Sequence, residues 1–155
     1  MVDAVLGASR VLVAIAARSL ADLDDAQDVT LAQYRSLVVL ASRGPQRVAS
    51  LAEALGVTPP TASRLCDRLV RKGLVRRRTD RSDRRQVRIA LTDAGRRLVD
   101  TVTERRRREI ARILRAVPDE ARRSVVAGLQ LFAESAGEVP DRQWSTEQDH
   151  EQDHP

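Results

Sequence analysis

The densest concentration of one functional group in this sequence lies between residues 64 and 88, where arginine dominates. That stretch holds eleven basic and three acidic residues, a net charge of +8 over 25 positions. Guanidinium groups this close together repel one another unless phosphates or counterions lie beside them, and counterion release on phosphate binding is the usual source of affinity for nucleic acid. Charge alone therefore indicates a polyanionic partner, either nucleic acid or an acidic membrane surface.

These residues fall on the second of two short predicted helices and on the hairpin that follows it. The segments SLAEALG and TPPTASRLCDRLVRKG are separated by very little chain, which is typical of a helix-turn-helix. We expect Ser50 and Glu53 to form a capping box at the start of the first helix, and Thr58 and Pro59 to begin the second. The segments LVRRR and QVRIAL then predict two strands, joined by the turn formers of TDRSDR.

The exposed face of the second helix carries groups that could read DNA. The apolar residues at positions 62, 65, 66 and 69 would face the core, which leaves hydroxyl groups and arginines outside. An α-helix fits the major groove, where one arginine can bind both O6 and N7 of guanine. Arg64 and Arg68, one turn apart, are the candidates for base contacts, and Thr61 and Ser63 for contacts with phosphates or bases. The alternative is a solvated basic face without a ligand.

The helices at the two ends of the chain are expected to build a dimer. One is predicted over residues 4–23, a long one over 92–117 and a last one that extends to about residue 136, whereas a helix over 30–43 belongs with the middle part of the chain. Terminal helices with broad apolar faces and little nearby to cover them predict mutual packing and a homodimer. We divide the chain into a DNA-binding domain at 30–91, a helical dimerisation region at 1–29 and 92–139, and an acidic tail at 140–155 that is expected to be disordered.

Composition argues against several other classes of protein. The single cysteine, Cys66, excludes an internal disulfide framework and fits a reducing cytoplasm, while the apolar run at 11–17 is too short to span a bilayer. We therefore predict a cytoplasmic protein without a membrane partner. No nucleophile–base pair or phosphate-binding glycine loop is recognisable, and both histidines, His150 and His154, lie in the tail. Neither an enzyme nor a cofactor or metal ion is predicted.

Residues 48–95 resemble the winged helix-turn-helix of the MarR family of bacterial transcriptional regulators. LAEALGVTPPTASR resembles the family's helix-turn-helix and RLVRKGLVRR the exit from its recognition helix. DRR followed by LTDAG resembles its wing and the start of its dimer-linking helix, and the helix order is similar from about residue 4 to 136. The resemblance implies a mainly α fold in which a small β-hairpin serves as the wing and the terminal helices form the dimer.

The resemblance also implies roles for residues on the recognition helix. Arg64 occupies the position from which family members contact bases, and Pro60, Thr61 and Ser63 lie on the same leading turns. Ser50, near the start of the preceding helix, is an additional candidate for a phosphate contact.

In the wing, the resemblance separates the arginines by role. Arg85 would enter the minor groove, and Asp83 would brace the wing through a nearby arginine, for which we choose Arg77. Arg81 and Arg84 would then contact phosphates.

Many members of the family are repressors that small molecules, metals or oxidants release from DNA. An effector pocket would lie where the first, second and long helices meet, and four polar or aromatic residues could reach it, although a surface or structural role is the alternative for each: Arg10, Arg18, Tyr34 and Arg106. Cys66 falls on the apolar stripe of its helix, which favours a buried structural thiol over an oxidant sensor.

The sequence thus predicts a dimeric, sequence-specific DNA-binding regulator, a repressor relieved by a small-molecule effector and bound to a pseudopalindromic operator. The alternative is a non-specific architectural DNA-binding protein without an effector. A further hypothesis concerns the tail, whose net charge of −4 contrasts with +9 for residues 1–139. Such a tail could compete with DNA for the basic wing.

Overall fold

The computed structural model describes residues 1–23, 28–79 and 86–138, and within these ranges it contains six helices and one two-stranded sheet. The elements are α1 (Val2–Ala21), α2 (Leu31–Arg43), α3 (Val48–Leu55), α4 (Pro59–Arg71), β1 (Val75–Thr79), β2 (Val87–Leu91), α5 (Asp93–Ala116) and α6 (Asp119–Ser135). The two strands pair antiparallel, with Val75 opposite Leu91 and Thr79 opposite Val87. The mainly α fold with a small hairpin is therefore confirmed, in the predicted order of elements.

The boundaries of α2 follow from local chemistry that the sequence displays. The backbone N–H of Gln33 donates to Thr30 Oγ1 at 3.2 Å, and the backbone N–H of Thr30 donates to Gln33 Oε1 at 3.1 Å. This reciprocal capping box satisfies two amide groups that the first turn of a helix would otherwise leave unpaired. The helix ends at Gly44, whose φ of +70° suits a residue without a Cβ atom.

The start of α3 differs from its prediction. The helix begins at Val48 after the N-cap residue Arg47, two residues before Ser50, so the capping box predicted for Ser50 and Glu53 is wrong. The cause lies outside the helix: Gln46 forms a β-bridge with Ile89, with reciprocal N–H to O distances of 3.0 and 2.7 Å. This tertiary contact holds the chain extended at Gln46 and lets the helix begin soon afterwards, whatever the local preference at Ser50.

The turn between α3 and α4 has the geometry of a helix-turn-helix. Gly56 ends α3 in the left-handed conformation, with φ of +65°, and the backbone N–H of Val57 donates to Ala52 O at 3.0 Å. Thr58 is the N-cap residue of α4 and Pro59 its first residue, as predicted. The Thr58 hydroxyl, however, bonds to the Thr61 hydroxyl at 2.9 Å rather than to a backbone amide.

One aliphatic core joins α2, α3, α4, the hairpin and the first half of α5. Its fully buried side chains include Leu37, Leu51, Leu69, Ile89 and Val99. Tyr34 is the only aromatic residue of this core in the part of the chain that is described. The core therefore joins the helix-turn-helix and the hairpin into one unit. The first half of α5 packs in this core, and the rest of the helix extends beyond it.

The LTDAG segment makes the junction between the hairpin and α5. The Thr92 hydroxyl donates to Gly73 O at 2.6 Å and accepts from the backbone N–H of Gly95 at 3.1 Å, while the N–H of Thr92 donates to Leu74 O. A Cβ atom on Gly95 would lie 2.1 Å from Leu74 O, so only glycine fits this approach. Thr92 and Gly95 thus hold the start of α5 against the end of α4.

The terminal helices leave much apolar surface uncovered in the single chain. Helix α1 packs on α5 and buries Ile15, Ala16, Ser19 and Leu20, whereas α6 has no buried residue. Large exposed apolar side chains occur on both helices: Val2, Val5, Leu6, Val11, Leu12, Val13, Val125, Leu129, Leu131 and Phe132. Burial of such surface against another copy is the simplest way to remove it from water.

Helix α1 also reaches the length and hydropathy at which a helix can cross a membrane. The apolar run at 11–17 lies within this 20-residue helix, so the expectation that the run is too short does not apply to the helix as a whole. Length and composition are weak evidence, because a helix of a soluble helical protein can pass the same test. Here Ile15, Ala16 and Leu20 pack inside the fold.

Candidate nucleic-acid interface

Helix α4 presents one apolar and one polar face, as its sequence predicts. Ala62, Cys66 and Leu69 are completely buried, and Leu65 is partly buried. The opposite face begins with the exposed Pro60 and Thr61 and the half-buried Ser63, and it continues through a line of exposed arginines at positions 64, 68 and 71. The packing of α4 against the core therefore fixes which side chains can meet a ligand.

The strand β1 extends this basic surface. Val75 is buried, whereas the residues from Arg76 to Thr79 are all exposed. None of the arginines at 64, 68, 71, 76 and 78 forms an ion pair with a carboxylate in the described ranges 1–23, 28–79 and 86–138. No carboxylate of the described ranges neutralises their charges, and a positive surface of this kind attracts an external anion such as a phosphate backbone.

An ion pair joins the two parts of the surface. Arg77 Nη2 donates to Asp67 Oδ1 at 2.5 Å, which links β1 to the exposed side of α4. The predicted partner of Arg77 was Asp83, and Asp83 lies outside the described residues. The partner that is observed holds the hairpin at a set position relative to α4.

Four of the predicted wing residues cannot be placed. Arg81, Asp83, Arg84 and Arg85 all fall within residues 80–85, outside the described ranges. Their assigned roles in the minor groove, in bracing and at phosphates remain predictions. Ser50, the additional phosphate candidate, is exposed in the first turns of α3.

The only cysteine is packed into the core side of α4. Cys66 has no exposed surface, and desolvation raises the pKa of its thiol despite the opposing charge of Arg77. A raised pKa keeps the thiol protonated at neutral pH, and the protonated form is a poor nucleophile. These properties match a structural cysteine.

The four residues named for an effector pocket lie in different surroundings. Arg10 is exposed on α1, and Arg18 is ion-paired with Glu109 of α5. Tyr34 is buried, with its hydroxyl 3.5 Å from Thr103 Oγ1 on α5. Arg106 lies one turn after Thr103, and its buried Nε has no hydrogen-bond partner in the described structure. Tyr34 and Arg106 are thus placed at the junction of α2 and α5, whereas Arg10 and Arg18 belong to the surface of α1.

An ion pair that sequence reasoning missed connects α2 with Glu138, the last described residue. Arg35 of α2 donates two hydrogen bonds to the Glu138 carboxylate, at 3.1 and 2.9 Å. This pairing lowers the pKa of Glu138, and the charges of Arg43 and Arg106 act in the same direction. The partners are 103 residues apart, and no local pattern signals such a contact. It places Glu138 beside α2.

The described ranges contain no candidate site for a metal ion. No group of three or more histidine, cysteine, aspartate or glutamate side chains occurs there that could hold an ion. His150 and His154 lie outside these ranges.

Comparison with known proteins identifies relatives over most of the chain. The model of the MarR family matches residues 29–87. The crystal structure of RV1404 from Mycobacterium tuberculosis is 44% identical, covering 90% of this chain and 93% of that one with a TM-score of 0.83. A MarR family protein from Bacillus stearothermophilus is 25% identical, covering 88% of this chain and 92% of that one with a TM-score of 0.77.

Two curated relatives come from Bacillus subtilis. An uncharacterized HTH-type transcriptional regulator, YfiV, is 27% identical over 106 residues, and the HTH-type transcriptional repressor MdtR is 34% identical over 94 residues. The matches cover 68% and 61% of this chain, and they span 66% and 61% of the lengths of those two proteins.

MepR of Staphylococcus aureus is a further structural neighbour. A mutant of it bound to an oligodeoxyribonucleotide and a complex with ethidium bromide have both been solved. Each is 25% identical to this chain, of which it matches 88%, with a TM-score of 0.61; the matches span 98% and 96% of the respective MepR chains.

Proposed function

The chain belongs to the MarR family of transcriptional regulators and has its helix-turn-helix DNA-binding fold, and from this premise we propose that it is a homodimeric, sequence-specific repressor relieved by a small-molecule effector. One observation carries the DNA-binding part of the proposal. The exposed face of α4 and the strand β1 form a continuous surface of arginines, and Asp67 and Arg77 hold its two parts together.

The recognition role falls to the exposed face of α4. Arg64 reads a base edge from the major groove, Arg68 supports it one turn later, and Thr61 and Ser63 bond to phosphates or bases. In the wing, Arg85 enters the minor groove, and Arg81 and Arg84 contact phosphates.

The dimer is proposed from the uncovered apolar surface of the terminal helices. Helix α6 buries nothing within the single chain, and α1 exposes most of its length, with Leu12 and Phe132 among the exposed residues. A two-fold axis through these helices would present two copies of α4 to half-sites about 34–36 Å apart on a pseudopalindromic operator. The solved complex of a MepR mutant with an oligodeoxyribonucleotide supports DNA as the partner.

Repression and its relief rest on the relatives and on one place in the fold. MdtR is named as a repressor, and MepR has been solved with ethidium bromide. In this chain the junction of α2 and α5, with Tyr34 and the unpartnered Nε of Arg106, is where an effector would act on the orientation of the DNA-binding unit. We place the protein in the cytoplasm, with its DNA, and we assign it no catalytic activity.

A competition titration tests the proposal against its alternative, an architectural protein without sequence preference. DNA fragments selected from random sequence by the protein would be titrated against unselected DNA of the same length at fixed salt. A specific regulator should prefer the selected sites by about 10³-fold or more. Equal affinity for both pools would favour the architectural protein, and no binding to either pool would contradict the proposal as a whole.

A further inference from the structure

Glu138, the last described residue, lies next to the DNA-binding unit. The double hydrogen bond from Arg35 fixes Glu138 on α2, and α2 packs directly against α3 and α4. The segment that follows, residues 139–155, contains five acidic residues and one arginine. An acidic segment therefore follows a residue whose position on the basic domain is known.

The basic stretch at residues 64–88 and the acidic segment at residues 139–155 have complementary charges. Residues 64–88 carry a net charge of +8, and the exposed arginines at positions 64, 68, 71, 76 and 78 have no carboxylate partner among the described residues. The segment 139–155 carries −4. The acidic character already starts at Glu138, which is seated among the positive charges of Arg35, Arg43 and Arg106.

The segment is long enough to reach these arginines. A domain of the size of residues 30–91 has a radius of gyration of about 11 Å, and hence a width of about 25–30 Å. Seventeen residues in a random-coil state have an r.m.s. end-to-end distance of about 21–25 Å, and they can extend to about 56 Å or more. Attachment at Arg35 therefore brings the acidic residues to the face of α4 at an effective concentration in the millimolar range.

We infer that residues 139–155 dock on the arginine face formed by α4 and β1 of the same chain, where their carboxylates compete with the phosphates of DNA. This inference rests on the proposed DNA binding. Operator and random DNA must both displace the docked segment, so its presence lowers the apparent affinity for each by the same factor. The segment would thereby weaken all DNA binding at low salt.

The segment supplies its own reporter, because Trp144 is the only tryptophan of the chain. Quenching of Trp144 fluorescence by acrylamide, a neutral quencher, measures how accessible the segment is. In the intact protein without DNA at low salt, we expect quenching at least twofold weaker than in a free peptide of residues 139–155. Addition of operator DNA or of salt should restore the quenching of the free peptide, since both remove the charge attraction. Quenching equal to that of the peptide under all conditions would overturn the inference.

Variants locate the docking surface. Arg64→Ala combined with Arg68→Ala should expose Trp144 to the quencher, whereas Arg115→Ala combined with Arg123→Ala should not, although the latter pair removes equal charge from exposed positions on α5 and α6. If only the second pair exposed Trp144, the segment would lie on the dimerisation region and the inference would be wrong.

Measurements of DNA affinity test whether the docked segment affects function. A chain that ends at Glu138 keeps the pair with Arg35 and should bind both operator and random DNA at least fivefold more tightly than the full chain at low salt, because neither DNA then has to displace the segment. A double variant, Asp149→Asn with Glu151→Gln, should show part of the same gain. The matched control, Glu120→Gln with Glu134→Gln, changes net charge equally at exposed positions of α6 and should leave affinity unchanged.

The outcomes separate this inference from the proposed function. If the intact protein and every variant fail to bind any DNA, the proposed function fails. If all bind DNA equally well at low salt, the function stands and the inference is overturned. If the two double variants gain equally, net charge alone explains the effect and docking is again excluded.

Discussion

Asp67 on α4 and Arg77 on β1 are joined by a hydrogen-bonded ion pair, with 2.5 Å between Oδ1 and Nη2. The pair is a direct side-chain link between the helix proposed to enter the major groove and the hairpin proposed to act as the wing. Both side chains are about half exposed, at 50% and 51%, so the pair adds little to the free energy of unfolding. Its effect is expected in DNA binding, where the relative position of helix and hairpin matters.

Replacement of Asp67 by alanine shows whether Asp67 affects DNA affinity by positioning Arg77 or by its negative charge. Removing an acid beside the DNA surface should tighten binding if only charge mattered. Because the change releases Arg77, we expect operator affinity to fall about fivefold instead, which corresponds to about 1 kcal/mol. The control is Glu53→Ala, which removes an exposed acid from α3. Fluorescence titration with operator DNA checks the prediction, and equal tightening of both variants would show that the pair does not position the hairpin.

Arg64 is expected to carry sequence discrimination. Arg64→Ala should cost about 1–3 kcal/mol at one base position of the operator and much less on random DNA. Arg71→Ala, at an exposed position near the end of the same helix, should weaken binding to all sequences alike. Titration against an operator set with single base-pair changes measures both. If Arg64→Ala and the wing variant Arg85→Ala weakened every sequence equally, the assignment of Arg64 to base contacts would be wrong.

Gly95 is expected to be irreplaceable for steric reasons. A Cβ atom there would approach Leu74 O to 2.1 Å, so Gly95→Ala must move backbone and should lower the free energy of unfolding by about 1–3 kcal/mol. Gly128→Ala provides the control, because Gly128 lies in α6 with no atom near the position of its Cβ. That change should leave stability unchanged or raise it by up to about 1 kcal/mol. Chemical denaturation compares the two, and equal stability of both variants would contradict the close approach.

The proposed dimer depends on the exposed apolar side chains of the terminal helices. Phe132 is 59% exposed in the single chain, and Phe132→Glu would place a charge within the proposed interface, where burial without a partner is costly. We expect this variant to be monomeric, or to have a dimer dissociation constant at least tenfold higher than that of the unaltered protein. Leu31→Glu, at a 43% exposed position of α2, should remain dimeric. Light scattering after size-exclusion chromatography gives the masses, and an unaltered protein that is monomeric at high concentration would refute the dimer.

Cys66 should be unreactive while the protein is folded. Burial raises the pKa of its thiol, so the reactive thiolate is scarce at neutral pH, and the side chain has no exposed surface. A thiol reagent should therefore modify Cys66 only at the rate of unfolding. A Thr61→Cys variant places a second thiol at an exposed position of the same helix, and that thiol should react at once. Rapid modification of native Cys66 would reopen the possibility of oxidant sensing.

The local signals in the sequence predicted most of the secondary structure. Helix α2 begins after the capping box of Thr30 and Gln33, α3 ends at Gly56, and α4 begins at Pro59, all as expected. These residues predict helix ends well because each acts through the backbone of its own turn. The apolar spacing on α4 likewise predicted which residues are buried, since helical periodicity alone decides which side chains share a face. The capping box at Ser50 was wrong because the bridge between Gln46 and Ile89, a contact between distant segments, sets the start of α3.

By itself, the sequence determined the order of elements, the basic face of α4 and the family that the chain resembles, because all three depend on residues close together along the chain. Tertiary structure alone decided the partners of the charged groups. Arg77 meets Asp67 because the hairpin folds back on α4, and Arg35 meets Glu138 because the chain after α6 lies beside α2. The roles of Thr92 and Gly95 likewise depend on tertiary structure. Thr92 bonds to Gly73, and Gly95 lies against Leu74, where α5 begins. Long side chains can reach many partners, and only the packing of the helices selects among them.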